Sequence, residues 1–172
     1  HIDSNIDAYN TCEWGGIKRT REGQLPGKII GKRCSVVVMA IVASPKSKIY
    51  TLRDLAGVDI ATSFYNGDHF VILELLGGAL PRDQIRFFHA TGGGYGHRLR
   101  SLLSGEYQAA TVMEPYLSLA EKNGARIIAQ SFFRGTEVAS PQMDVQTIKK
   151  LFQALTKAVH KINEDPTQYV DR

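Results

Sequence analysis

Short apolar runs alternate with amphipathic stretches along most of the chain. Seven consecutive apolar residues from Val36 to Val42 predict a strand over 32–42 that is covered on both faces. Beyond it, the pattern predicts strands at 58–62, 85–89, 109–113 and 126–130, with helices at 68–76, 96–104 and 115–123 between them. Strands and helices that alternate in this way are typical of a parallel α/β sheet.

The two ends of the chain are less regular. Residues 6–14 predict the end of a strand followed by a loop and a helical turn, and 136–141 predicts a further strand. Near the C terminus, Asp144 predicts the N-cap of a long amphipathic helix that ends at about Asn163, before Asp165 and Pro166.

Composition and charge exclude several classes of protein. The 172 residues are 43% hydrophobic and 22% charged, which is typical of a globular domain. The longest apolar run falls well short of the roughly 20 residues that cross a bilayer. The net charge of +4 indicates either a solvated basic face or attraction of a small anion. Because no recognition helix accompanies this charge, we expect no nucleic-acid partner.

Two cysteines, Cys12 and Cys34, are too few and too far apart for a zinc site, so no metal is expected. Their spacing leaves open whether they are free or paired, although Cys34 precedes an apolar run and is expected to be a buried small residue. The chain begins with His1 rather than Met, and we expect it to be a fragment.

The segment LLSGEYQAATVMEPY, at 102–116, predicts a helix end, a short buried strand and a helix start. It resembles the A-L-x-x-G-x-x-D-A-x-x-x-x-E-P segment of type II periplasmic binding proteins of the nitrate/sulfonate/taurine and thiamine-pyrimidine-precursor group. Gln108 stands where that family has Asp. The segment IYTLRDLAGVDIATSFYNGDHFVILELL, at 49–76, and the helix before Pro166 resemble the same family in the same order.

This resemblance implies an α/β fold of two lobes with mixed sheets, joined by a two-strand hinge. Residues 1–44 and 136–172 would be parts of the first lobe and 45–135 the second lobe, with the first strand and helix of the first lobe missing from the sequence. It also implies the substrate-binding component of an ABC importer, located in the periplasm or outside the cytoplasm and held at the membrane by the transporter. The implied partners are a transporter permease and a small ligand, with no cofactor, and the protein is expected to be a monomer.

The implied ligand is a small organic anion, such as a sulfonate or carboxylate, or a planar heterocycle such as a thiamine-pyrimidine precursor. Candidate contacts follow the strand ends, where ligands bind in open α/β sheets. Backbone N–H groups of Gly67, Asp68 and His69 would lie at a helix N terminus that suits an anion, and Tyr65 and Asn66 would add hydrogen bonds or stacking. Simple capping by Asn66 or Asp68, with a solvent-facing His69, is the alternative.

The first lobe would contribute Cys12, Glu13 and Trp14, in a loop bounded by glycines. Trp14 suits stacking on a flat ligand whose polar edge Glu13 would hold, although a core Trp is equally consistent with the sequence. Three further candidates are Tyr95 in a glycine-rich loop, Glu114 after the strand at 109–113, and Glu137. Capping is the alternative role for Glu114.

Two other functions remain open on the same fold. The first is an enzyme similar to a pyrimidine synthase or a cysteine-dependent desulfinase, with Cys12 as the nucleophile. The neighbouring carboxylate of Glu13 disfavours a thiolate there, and no other catalytic residue is predicted. The second is the effector-sensing domain of a transcription regulator.

Overall fold

A computed structural model describes residues 6–22, 27–90, 92 and 94–169. The strands are β1 (Ala8–Cys12), β2 (Lys28–Ala43), β3 (Asp59–Thr62), β4 (Arg86–His89), β5 (Ala109–Met113) and β6 (Arg126–Ala139). The α-helices are α1 (Glu13–Arg21), α2 (Gly67–Gly77), α3 (Gly94–Ser104), α4 (Tyr116–Lys122) and α5 (Val145–Glu164). Short 3-10 turns cover Leu52–Leu55, Arg82–Gln84 and Pro166–Tyr169. None of the described helices has the length and apolar character needed to span a membrane.

The six strands found among the described residues form one mixed sheet in the order β1-β6-β2-β5-β3-β4. The pairs β3–β4 and β3–β5 are parallel, whereas β2–β5, β2–β6 and β1–β6 are antiparallel. The prediction of a parallel sheet was therefore right for β3 to β5 and wrong for β6. The long strand β2 occupies the position beside β5, so β6 pairs with β2 in the antiparallel direction instead.

Most predicted elements are confirmed, and the main differences lie in β2 and β6. The predicted strand at 126–130 and the separate strand at 136–141 form one continuous strand, because its pairing with β2 and β1 carries the backbone through polar residues such as Ser131 and Arg134. The expectation that β2 is covered on both faces holds from Met39 to Ala43 but not at Val36 and Val38, which are exposed. Pairing with β5 begins at Met39, so among the described residues the earlier part of β2 has no strand on that side.

The core lies on both faces of the sheet where β2, β5 and β3 meet. Alternate β2 residues face opposite sides, as strand geometry requires. One face packs under α3 and α4 and includes Val42 with Leu102. The other packs under α2 and includes Ile41 with Ile72 and Leu76. Helices α2, α3 and α4 are thereby fixed to the sheet with their N termini at the carboxyl ends of β3, β4 and β5.

Both chain ends contain one informative detail. At the start, α1 begins at Glu13 directly after β1, so the predicted helical turn is confirmed and the predicted loop at Cys12, Glu13 and Trp14 is wrong. A Cβ on Gly16 would lie 2.8 Å from Thr136 Oγ1, and glycine lets this helix approach the sheet. At the end, the prediction for α5 is confirmed. The Asp144 side chain accepts hydrogen bonds from the backbone N–H groups of two residues in the first turn.

Candidate functional site

The N terminus of α2 lies directly against the end of β1. A Cβ placed on Gly67 would lie 3.3 Å from Cys12 Cβ, Cys12 Sγ and Phe133 Cδ1, so this buried glycine brings the backbone of α2 into contact with both side chains. Asn66 is the N-cap residue of α2 and is exposed, and its side chain forms no capping hydrogen bond. Two helices, α1 and α2, therefore start beside each other at Cys12.

Cys12 is the last residue of β1 and carries a free thiol. Its Sγ accepts a hydrogen bond from Gly15 N at 3.2 Å, and it packs against the buried cluster of Met39, Val71 and Phe133. The side chain of Cys34 lies outside the described part of the structure. Within the described residues, His, Cys, Asp and Glu do not form a group of three or more that would hold a metal ion.

Glu13 opens α1 and is held in a fixed position by two partners. Its carboxylate lies 2.7 Å from Lys32 Nζ and accepts a hydrogen bond from Arg134 N at 3.3 Å. The hydrogen bond from Lys32 is the main reason that the pKa of Glu13 is lowered, and partial burial opposes it. The negative charge at the start of α1 is therefore neutralised.

Two of the aromatic candidates, Trp14 and Tyr65, are exposed beside the two helix starts. Trp14 stacks on Phe70 with ring centroids 5.7 Å apart, and it remains 39% exposed. Tyr65 is exposed, and Lys18 Nζ lies 4.8 Å from the centroid of its ring. A groove of about 490 Å³ runs along this surface and is lined by Trp14, Ile17, Lys18, Arg21, Glu22 and Phe70.

Asp68 is buried rather than a capping residue on the surface. Its Oδ2 lies 2.8 Å from Arg98 Nη1, and both side chains are at most 1% exposed. The same oxygen accepts from Thr111 Oγ1 at 3.2 Å and from Ser63 N at 3.3 Å. Arg98 also donates to Thr111 Oγ1 at 2.6 Å and to Ser63 Oγ at 2.6 Å. This network joins α2 and α3 to the ends of β3 and β5.

Tyr95, near the start of α3, belongs to the same region. The guanidinium of Arg98 lies 4.3 Å from the centroid of its ring, and the ring packs with Cys12 around the buried cluster. Burial, followed by the negative charge of Asp68, raises the pKa of Tyr95 to about 12. The phenol therefore stays neutral at ordinary pH. Thr91 and Gly93, in the loop before α3, lie outside the described residues.

His69 is half-buried on α2 and does not simply face solvent. Its Nδ1 accepts a hydrogen bond from Tyr65 N at 3.2 Å. Burial lowers the pKa of His69, while the charge of Asp68 acts in the opposite direction. Tyr65 itself has a φ of 63°, in the left-handed region that residues with a side chain rarely adopt.

The remaining two candidates, Glu114 and Glu137, form hydrogen bonds with residues away from the two helix starts. Glu114 is exposed and accepts hydrogen bonds from Ser118 N and Oγ at 3.2 and 2.9 Å, so it caps α4. Glu137 accepts from Arg33 Nε at 2.7 Å and Asn10 Nδ2 at 3.1 Å, which ties it to β2 and β1. Neither forms an ion pair or hydrogen bond with another candidate among the described residues.

Two residues of this region were absent from the predicted set. Arg98, Ser101 and Leu102 are buried on one face of α3. Their i, i+3, i+4 spacing could have indicated from the sequence that Arg98 faces inward. His89 accepts a hydrogen bond from Phe64 N at 2.9 Å. The sequence carried no signal for that contact, because 25 residues separate the two partners.

The fold is similar to that of solved binding proteins. The alkanesulfonate-binding protein SsuA from Xanthomonas axonopodis pv. citri, bound to MOPS, matches 95% of this chain with a TM-score of 0.71 and 17% identity. The periplasmic aliphatic sulphonate-binding protein SsuA from Escherichia coli matches 94% with a TM-score of 0.67 and 17% identity. An ancestral arginine-binding protein bound to arginine matches 94% with a TM-score of 0.57 and 13% identity.

These matches have limits that bear on the function. The chain spans 58% of the length of the first of these proteins, 55% of the second and 68% of the third. No family model matches the sequence, and no curated protein matches it significantly. At these identities the similarity establishes the architecture alone. The chain has the fold of the periplasmic binding proteins, as its sequence predicts.

Proposed function

We propose that this chain is the substrate-binding component of an ABC importer and binds a small organic anion beside the starts of α1 and α2. A sulfonate or carboxylate would receive hydrogen bonds from the backbone N–H groups of Gly67, Asp68 and His69. The observation that carries the proposal is the contact between Gly67 and Cys12, which joins segments 55 residues apart at two helix N termini. Helix N termini favour negative charge.

The electrostatics of the region support an anionic ligand. The two carboxylates nearest the helix starts are each held by a cation, Glu13 by Lys32 at 2.7 Å and Asp68 by Arg98 at 2.8 Å. Paired in this way, they do not cancel the positive ends of the helices. A ligand carrying one negative charge would therefore meet a favourable potential without displacing an existing ion pair.

The aromatic surface supports a ligand with a flat apolar body. Trp14 and Phe70 form one stacked platform, and the groove beside them contains Lys18 and Arg21. An aromatic ring can stack on such a platform while its anionic group reaches the helix starts. This arrangement favours aromatic sulfonates or carboxylates, or a planar heterocycle such as a pyrimidine precursor, over short aliphatic anions.

The wider arrangement is part of the proposal. Residues 1–44 and 136–172 would belong to one lobe and 45–135 to the other, and the strands β2 and β6 would carry the connection between them. Ligand contacts made with both lobes would favour the closed state, because binding shifts a population only through differential affinity. The partner would be a transporter permease outside the cytoplasm, and the chain would act as a monomer.

Calorimetric titration of the 172-residue chain tests the proposal. The panel contains 1-naphthalenesulfonate, methanesulfonate, benzoate and an aminopyrimidine. We expect the naphthalenesulfonate to bind and the variant Trp14→Leu to weaken its affinity about tenfold, because stacking on an aromatic platform contributes on the order of 1 kcal/mol or more. The matched control is Tyr169→Leu, an exposed aromatic residue in the C-terminal 3-10 turn, which should bind as the unaltered chain does.

The same titration separates a binding protein from an enzyme. Because the proposed role of Cys12 is packing, Cys12→Ala should retain ligand affinity within about threefold. Turnover of a bound ligand that disappears in this variant would favour the cysteine-dependent alternative. Binding to none of the four compounds at millimolar concentration would refute the proposed function.

A further inference from the structure

The loop of residues 63–66, which joins β3 to α2, is held by two histidines. Phe64 N donates to His89 Nδ1 at 2.9 Å, and Tyr65 N donates to His69 Nδ1 at 3.2 Å. Two successive backbone N–H groups thus end on two imidazole nitrogens. A nitrogen that accepts a hydrogen bond carries no proton, so this arrangement requires an unprotonated Nδ1 on each ring, with the ring proton on Nε2.

Aromatic contacts join the two histidines into one unit. The Phe64 ring stacks on His69 with centroids 5.0 Å apart and packs against His89 with centroids 5.2 Å apart. Tyr65, the next residue, has the left-handed φ of 63° that residues with a side chain rarely adopt. This conformation needs support from its surroundings, and the two N–H···N hydrogen bonds provide it.

We propose that His69 and His89 are positioning residues whose unprotonated Nδ1 atoms hold the 63–66 loop in its binding form, and that protonation of His69 releases it. The loop sets the position of Asn66 and of the first N–H groups of α2. Loss of the hydrogen bond to His69 would therefore move the proposed anion contacts. The link to ligand affinity rests on the proposed function, whereas the release of the loop does not.

The charged groups near the two rings are cations or paired carboxylates. The carboxylate beside His69 is Asp68, which is paired with Arg98 at 2.8 Å. Arg82 lines the groove shared with His69, and Lys18 lies beside the Tyr65 ring. On the strand of His89, Arg86 is paired with Asp59 on β3, and the neighbouring Phe64 and Thr62 carry no charge.

The direction of the pH effect follows from the hydrogen bonds. A second proton on either ring would sit on Nδ1 and point at a backbone N–H group, so protonation breaks the contact. Burial lowers the pKa of His69, with Asp68 opposing it, so the held loop favours the neutral ring. The held form is thus fully populated above about pH 6.5, the ordinary value for imidazole, and loses stability as the pH falls below it.

Nuclear magnetic resonance tests the loop without any ligand. With ¹⁵N-labelled histidine at pH 7.5, both rings should show the Nε2–H tautomer. The Tyr65 amide should lose about fivefold in exchange protection between pH 7.5 and 5.5, after correction for the intrinsic rate, since its one hydrogen bond contributes on the order of a factor of five. His69→Gln should abolish this pH dependence at Tyr65. His160→Gln, an exposed change on α5, should leave it intact.

Two results would overturn the proposal: a proton on Nδ1 of either ring at pH 7.5, or unchanged protection of the Tyr65 amide down to pH 5.5. A ligand titration then separates it from the proposed function. Affinity for 1-naphthalenesulfonate should fall about fivefold over the same pH range in the unaltered chain and in His160→Gln, but less than twofold in His69→Gln. Binding without pH dependence overturns the histidine role alone, and a titrating loop with no binding overturns the proposed function alone.

Discussion

The buried pair of Arg98 and Asp68 supports the sharpest prediction about stability. Arg98→Met removes a guanidinium that lies 2.8 Å from the Asp68 carboxylate, where both side chains are at most 1% exposed. A carboxylate that is left buried without its partner costs about 3–5 kcal/mol. The change also removes the donor to Ser63 Oγ and Thr111 Oγ1 at 2.6 Å. We therefore expect a loss of about 4 kcal/mol in the free energy of unfolding.

The double variant Asp68→Asn with Arg98→Met separates charge burial from packing. With no charge left in the core, it should recover at least half of the loss, since replacing both members of a buried pair costs far less than removing one. The matched control is Arg86→Met. Its ion pair with Asp59 has side chains that are 57% and 52% exposed, so the cost should stay below about 1 kcal/mol.

Urea unfolding at pH 7, followed by far-ultraviolet circular dichroism, gives all four free energies. If Arg98→Met fails to fold, the double variant should still show an unfolding transition. A folded double variant would then show that the second change recovers stability. Losses within 1 kcal/mol for Arg98→Met, or equal losses for Arg98→Met and Arg86→Met, would refute the account of a buried, uncompensated charge.

Three further predictions concern the helix starts. Gly67→Ala should lower affinity for 1-naphthalenesulfonate about tenfold by calorimetry, because its Cβ would meet three side-chain atoms at 3.3 Å. The control is Gly77→Ala in the same helix, where the added Cβ has open space. This variant should bind normally, and its free energy of unfolding should rise by up to about 1 kcal/mol. Because the Lys32 hydrogen bond lowers the pKa of Glu13, the small stabilisation by this carboxylate is present above about pH 4.5 and is lost as the pH falls further. The urea midpoints of the unaltered chain and of Glu13→Gln should therefore converge in acid. The raised pKa of Tyr95 predicts an ionisation near pH 12 in an absorbance titration, and Tyr95→Phe should remove that component.

Local pattern predicted the elements well where one face is buried and the other polar. The helices at 68–76, 96–104 and 115–123 are observed within two residues of those bounds, because each carries an apolar face that packs on the sheet. The full length of strand β6 was harder to predict from the sequence. Its second half has few successive apolar residues, and its identity as a strand depends on partners in β1 and β2 that are far away in sequence.

In the candidate site too, local position predicted some residues, whereas contacts between distant segments were not predictable. Residues next to strand ends, such as Gly67 and Tyr95, could be chosen from position along the chain, since the carboxyl ends of parallel strands share one edge. The ion pair of Asp68 with Arg98 could not, because it depends on how α2 and α3 sit relative to each other. Spacing along the chain likewise does not predict that Glu114 accepts a hydrogen bond from Ser118 or that Glu137 accepts one from Arg33.

A ¹H–¹⁵N chemical-shift map of the chain titrated with 1-naphthalenesulfonate locates the bound anion. We expect the largest shifts on the amides of Gly67, Asp68 and His69, with a smaller change at the Trp14 indole. A second groove, of about 600 Å³, lies at the starts of β3 and β5 and includes Gly57 and Tyr107. Shifts centred on that groove, or no shifts at millimolar ligand, would contradict a binding site at the starts of α1 and α2.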